Sequence, residues 1–428
     1  MSERLVIRGG LVIDPAQGLE SVRDVLLQDG RIAAIAPNLS SRFPGVPSLA
    51  ARGCWVVPGL IDMHAHLREP GGGEDETLAS GTRAAAAGGF TAVLAMPNTR
   101  PPTDSPARLR RLRRKARRDA AVPVLFAGCA TLGQKGARLA DLRAMARAGM
   151  SAVTEDGRPL RDSGLMRRAL ELARELGIPF ISHCEDTSLS RGAPVNEGGA
   201  SRRLRLPGQP WTAETALVLR DIALSELTGA HVHLAHLSCA QSAAAVREAK
   251  RRGLPVTAEA TPHHLALCED DIPGRDADFK MNPPLRSRAD REALRAGLRD
   301  GTIDAVATDH APHSPQKKRL GMSRAPFGVI GLETALAAVL TFLVRGGRLT
   351  RRQMVERMST APARILGLRR KGGLKPGMDA DLAVIAPDEV WTVPPRFFSR
   401  SRNSPFIGMK LSGRVRATVA AGSVVYAL

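Results

Sequence analysis

The sequence predicts an α/β chain: a TIM (β/α)8 barrel with a small β-sandwich domain built from both chain ends. Three observations lead there. Between residue 58 and about residue 370, eight strand-like apolar runs alternate with segments of helical periodicity rich in Ala, Leu and Arg. Shorter β-type runs separated by turns flank that region on both sides. At 428 residues and 43% hydrophobic content, the chain can bury a large barrel core and still carry an appendage.

The elements follow in order. Residues 1–57 hold short apolar runs at Arg4–Arg8, Leu11–Ile13, Asp24–Gln28 and Arg31–Ala36, the N-terminal part of the β-sandwich. Asp29-Gly30 between two of them signals a hairpin, because glycine tolerates positive φ. The barrel spans 58–370, with strands expected at 59–66, 91–97, 123–130, 150–155, 178–184, 231–238, 255–262 and 303–309. Helical periodicity falls at 77–88, 137–148, 163–176, 212–228, 240–252 and 288–299, and 332–345 and 350–366 close the barrel. From 371 to 428 short strands return at Asp381–Ile385, Val415–Ala420 and Ser423–Ala427, with Gly422 at a tight turn. Gly, Pro and basic residues near 369–377 mark the boundary.

Composition excludes several classes. No run approaches 18 uninterrupted apolar residues, so no membrane-spanning helix is expected. Met1-Ser2-Glu3-Arg4 lacks the apolar core of a secretory signal, which points to the cytoplasm. Five scattered cysteines (54, 129, 184, 239, 268) without C-x-x-C spacing read as reduced thiols. The net charge of +20 invites a nucleic-acid reading, but basic residues are spread along the chain, aromatic content is 3%, and no RNA- or DNA-binding motif appears. The densest run, Arg108 to Arg118, leaves only Leu109, Leu112 and Ala116 uncharged. Those positions form one helix face, so the run reads as a solvated outer helix capped at Ser105-Pro106. A positive field also helps draw in an anionic substrate.

The chemistry gathers at strand ends. Every histidine lies between 64 and 313, at or near the carboxyl end of an expected strand. His64 and His66 alternate along the first strand and therefore share a face, well placed for one metal ion. Asp156 ends the fourth strand, where two neighbouring cations need a shared anionic ligand. His183 ends the fifth. On the sixth, His231 and His233 share one face and His236 takes the other, nearest the carboxyl end. His236 is thus the expected ligand, with the other two packed toward the helices. Asp309 ends the eighth strand, where a carboxylate touches a metal and takes a proton from water. Four histidines and two carboxylates suit zinc and hydrolysis better than redox chemistry. Zinc lowers the pKa of a bound water to about 7.

These residues resemble the amidohydrolase superfamily and, more closely, the dihydroorotase family. The matching segments include PGLIDMHAHLREPG (58–71), AMPNT (95–99), SHCED (182–186), HLAHLS (233–238), NPPLR (282–286), ATDHAPH (307–313) and GVIGLET (328–334), and they span almost the whole chain. The resemblance implies one metal on His64 and His66, a second on His183 and His236, and Asp156 as bridge. Asp309 would ligate the first metal and act as catalytic base, then acid. One or two zinc ions are implied, two being favoured. Substrate would be held by His66, Leu67, Arg68, Asn98, Asn282, His313, Phe327 and Gly328. The implied reaction is reversible hydrolysis of dihydroorotate to N-carbamoyl-aspartate in pyrimidine synthesis. Relatives bridged by a carboxylated lysine, such as hydantoinases and allantoinases, fit less well, since strand four offers Asp156 and no lysine. A different cyclic amidase and a non-catalytic barrel supporting aspartate transcarbamoylase are the alternatives. The resemblance also implies association with aspartate transcarbamoylase and leaves a homo-oligomer open. Polar segment 314–326 is a candidate mobile lid.

Overall fold

A computed structural model describes residues 4–428; the reading of the first three residues lies outside it. Eight parallel strands run in sequence order through one sheet: Leu60–Ala65, Phe90–Ala95, Val124–Cys129, Ala152–Thr154, Phe180–Ser182, Val232–Leu234, Val256–Ala260 and Ala305–Val306. A parallel bridge between Ala65 and His310 joins the last strand's extension to the first. This is the expected TIM barrel. Helices Leu78–Ala87, Pro106–Asp119, Leu142–Arg147, Ser163–Leu176, Thr212–Thr228, Ala240–Arg251 and Arg288–Asp300 connect the strands.

The core has two layers, as strand alternation requires. Val93, Phe126, Phe180 and Val232 meet helix residues such as Leu109, Met166, Val218 and Leu298 in one cluster. Ile61, Met63, Leu94, Ala127, Ala152, Ile181 and Ala305 form another, closed by Ala363 and Ile365 of the last helix, Ala361–Ile365. In the basic helix Pro106–Asp119 the buried residues are Leu109, Leu112 and Ala116, the three uncharged positions singled out in sequence. Ser105 holds the cap position, but its side chain makes no capping hydrogen bond.

The two chain ends build one eight-stranded sheet. Its order is Ser423–Ala427, Lys410–Ala420, Leu382–Thr392, Trp55–Pro58, Arg4–Asp14, Leu19–Gln28 and Arg31–Ala36, with Ser48–Ala50 beside Arg4–Asp14. The ends meet where Leu382–Ile385 pair antiparallel with Trp55–Pro58. Asp29 and Gly30 both take positive φ (51° and 74°) between Gln28 and Arg31, the geometry of the expected hairpin. The two long C-terminal strands exceed their expected lengths. Pairing resumes beyond a register shift after Ala386, and Asp388 and Glu389 interrupt the apolar pattern there.

Gly59 joins sheet to barrel, and a Cβ on it would lie 2.1 Å from Thr91 Oγ1, so only glycine fits. Segment 314–326 contains two short helices, Pro315–Lys318 and Gly321–Arg324. Lys317 ties it to Glu74 and Asp75 of the loop after the first strand.

A candidate metal centre at the strand ends

The first strand shifts register against its neighbour between Asp62 and Ala65. Such a bulge re-aims side chains. His64 within it and His66 just past it stand together, ring centroids 5.4 Å apart. Asp156 arrives directly after the fourth strand, His183 after the fifth, His236 after the sixth and Asp309 after the eighth. All six are buried. Arg68, His236 and Asp309 take positive φ of 55°, 36° and 45°, which costs non-glycine residues of order 1–3 kcal/mol each. Such strain persists only where the surrounding structure over-determines it, and three of the nine non-glycine residues with positive φ among the described residues lie at or beside the site.

Asp156 is the geometric centre. Its Oδ1 lies 3.3 Å from His64 Nε2, 3.5 Å from His183 Nδ1 and 3.9 Å from His236 Nε2, and its Oδ2 lies 3.5 Å from His66 Nε2. Two groups result, His64–His66–Asp156 and Asp156–His183–His236, with ligand atoms within 4.8 Å of one another in each. Asp309 Oδ1 sits 3.0 Å from His66 Nε2 and 3.6 Å from His64 Nε2.

The donor set fits divalent cations. His64 Nε2 is fully buried and makes no hydrogen bond, although a carboxylate faces it. His183 Nδ1 and His236 Nε2 face each other at 2.9 Å. Burial opposes charge on His64, yet Asp156 and Glu259 hold its pKa well above the ordinary value. Burial likewise opposes charge on His183, but Asp156 and Glu185 lift it to about 10. Against the same burial, His64, His183 and His236 hold Asp156 well below the usual carboxylate range. Protons here compensate buried anions, and a cation in the same place would displace them.

Around the cluster stand the expected substrate residues. Asn98 Oδ1 accepts from His66 Nδ1 at 2.9 Å, and its Nδ2 donates to Asp156 Oδ2 at 3.1 Å. Arg68 donates through Nε to Pro312 O (3.1 Å), and its terminal nitrogen lies 3.2 Å from His313 Nε2. Burial, then the Arg68 charge, push His313 down to about 2, so its ring is neutral. Its Nε2 donates to Phe327 O at 2.8 Å. Gly328, φ 131°, passes so close to Ala311 that a Cβ would lie 2.6 Å from that residue's Cβ. Asn282 donates to Glu185 Oε2 at 2.8 Å. Leu67 is the exception. Its neighbour His66 faces the cluster, so Leu67 turns the opposite way, into the helix-facing core beside Gly81. Its side chain packs away from the cluster, so that position can reach a substrate only through its backbone.

A further correction concerns His233. It does not pack toward the helices; its Nε2 bonds Glu259 Oε2 at 3.0 Å, and Glu259 Oε1 bonds His64 Nδ1 at 3.0 Å. His231 bonds Thr257 Oγ1, as does His233 Nδ1. Sequence reasoning missed Glu259 and Glu76, which faces His310 Nε2 at 3.2 Å, and weighed Glu185 only as a rival ligand, whereas it accepts from His183 Nε2 at 3.0 Å. Only Glu185 carried a signal, standing two residues after His183; Glu259 and Glu76 are remote in sequence from the rings they orient.

The likenesses to known proteins agree with this geometry. A family model described as Dihydro-orotase-like matches residues 53–242. A dihydroorotase from Anaeromyxobacter sp. (strain K) is 48% identical over 429 aligned residues, covering 100% of this chain and 98% of that one. One from Geobacter sp. (strain M21) is 49% identical over 423, covering 99% of each. Among solved structures, an L-hydantoinase (dihydropyrimidinase) from Arthrobacter aurescens superposes with a TM-score of 0.89 at 25% identity, over 99% of this chain and 96% of that one. With a barrel whose strand ends gather four histidines and two aspartates, and relatives matched end to end at nearly half identity, the chain belongs to the dihydroorotase family.

Proposed function

We propose that this chain is a zinc-dependent dihydroorotase that interconverts (S)-dihydroorotate and N-carbamoyl-L-aspartate, a step of pyrimidine synthesis, in the cytoplasm. The observation that carries the reading is one carboxylate, Asp156, shared by two histidine pairs, with Asp309 and Arg68 at their rim. His64, His66, Asp156 and Asp309 would hold one ion and Asp156, His183 and His236 a second. Bound ions would supply Lewis-acid chemistry, acidifying water and polarising the ring carbonyl.

This chain's residues do the rest. Arg68 grips the substrate carboxylate with a fork of donors, Asn98 adds an amide N–H, and the neutral His313 ring stands beside the guanidinium. Asn282, held by Glu185, offers donor and acceptor to the amide edge. Burial works against ionisation of Asp309, but the His66 hydrogen bond and the His64 charge keep its carboxyl below the ordinary range. It is therefore ionised and able to accept a proton. As water adds to the carbonyl, Asp309 takes its proton; as the ring C–N bond breaks, Asp309 returns that proton to the departing nitrogen. Synthesis runs the same steps backwards. A hydantoinase-type substrate is disfavoured because the fourth strand ends in Glu155-Asp156 and carries no lysine to serve as a bridge.

The test is ring closure of N-carbamoyl-L-aspartate by zinc-loaded protein, alone and with aspartate transcarbamoylase added. Turnover in either arm supports the reading, and the comparison shows whether a partner is required. Hydantoin hydrolysis with no dihydroorotate turnover in either arm would reject it.

A further inference from the structure

A second cavity, of about 410 Å³, lies away from the strand-end cluster, between the helix starting at Ala335 and the C-terminal strands. Its walls hold Trp391, Phe397, Phe398 and Tyr426. The whole chain has only 14 aromatic residues, so four around one cavity is a concentration that needs explaining. The volume falls in the range of small-molecule sites, which combine apolar walls with a few polar groups. Here those groups include Arg396, Arg414, Glu333 and the Tyr426 hydroxyl. Arg414 lies over the Trp391 ring and pairs with Glu389 at 3.2 Å. Arg396 is exposed and makes no hydrogen bond or ion pair among the described residues. The Glu333 carboxylate is engaged by the N–H groups of Phe398 and Ser399 at 3.1 Å each.

We propose that this cavity binds a planar aromatic anion, its ring against Trp391 and Phe398 and its acid group on Arg396. Flat aromatic walls suit a stacked ring, and an unpaired guanidinium suits a carboxylate or phosphate. The site is wired to the catalytic rim. Ser399 is bonded to Glu76, Glu76 faces His310, and His310 follows Asp309 in the chain. Four residues on, Asn403 accepts from His313 N at 3.1 Å and donates to Gly328 O at 2.9 Å. An occupant that shifts Phe398 and Ser399 therefore moves groups that hold the substrate residues.

The experiment titrates full-length, metal-loaded protein with AMP, and with uncharged adenosine as control, following tryptophan fluorescence and calorimetric heat. The expected result is saturable AMP binding about tenfold tighter than adenosine, the difference one charge-assisted contact makes. Arg396→Gln should erase that difference while leaving AMP-free turnover unchanged. Trp391→Phe should lose the fluorescence change and keep the heat. No saturable binding, equal affinity in wild type and Arg396→Gln, or a dimer in sedimentation that Phe398→Ser dissolves would overturn the proposal. The link to catalysis rests on the dihydroorotase reading: saturating AMP should shift the KM for dihydroorotate severalfold. Binding with an unchanged KM in an active enzyme would overturn the link, whereas an inactive enzyme that binds AMP would fault only that reading.

Discussion

Glu259 and His64 share a hydrogen bond of 3.0 Å between Oε1 and Nδ1, wholly inside the barrel. The other carboxylate oxygen bonds His233, and burial is outweighed by these two histidines, which hold Glu259 down to about 2. An ionised acceptor on Nδ1 fixes the proton there and leaves Nε2 free to face Asp156. Glu259→Gln should weaken metal retention by about 10–100-fold with the fold intact. Competition against a zinc-chelating dye, with circular dichroism alongside, measures both. Unchanged affinity would remove Glu259 from this orienting role.

Asp309→Asn keeps the shape and loses the base. Turnover should fall by at least about 10²–10⁴-fold, while melting temperature changes little. Near-normal kcat in a folded variant would show that another group moves the proton.

Arg68 stands at the rim beside His313. Arg68→Met should lower kcat/KM for dihydroorotate by about 10²-fold or more, chiefly through KM, because a paired charge is lost. Steady-state kinetics over a wide substrate range separates the two constants. A change confined to kcat would place the carboxylate elsewhere.

Glu333 gives a pH prediction. Burial raises its pKa from 4.5 to about 7. At low pH both folded and unfolded chains carry the proton. As pH climbs through that interval the unfolded chain releases it first, so this group's contribution to stability falls, and above about 7 the penalty is complete. The stability of Glu333→Gln relative to wild type should therefore improve between pH 5 and pH 8. Urea midpoints at the two values test it, and a constant difference would contradict it.

Much of the fold was legible in sequence. The helices Ser163–Leu176 and Thr212–Thr228 match the expected bounds: Asp162 caps the first, and Gly177 and Gly229 end them in left-handed conformation. The barrel strands came out shorter than their apolar runs, since the residues beyond the ladder bend into the site. The gathering of His64, His66, Asp156, His183, His236 and Asp309 was foreseeable from their common place at or just past the carboxyl ends of strands. Strand alternation predicted the shared face of His64 and His66, but not the bulge that aims them. The orientation of His233 and the partners Glu259 and Glu76 were not legible. They depend on inter-strand register, such as Val232 opposite Val256, which no local pattern encodes.

The most direct test is zinc titration into metal-stripped protein, with dihydroorotate turnover read at each addition. The account predicts no turnover without metal, a rise in proportion to zinc bound, and a break at one or two equivalents per chain. Full activity in the stripped protein, or zinc uptake that Asp156→Ala leaves unchanged, would contradict it.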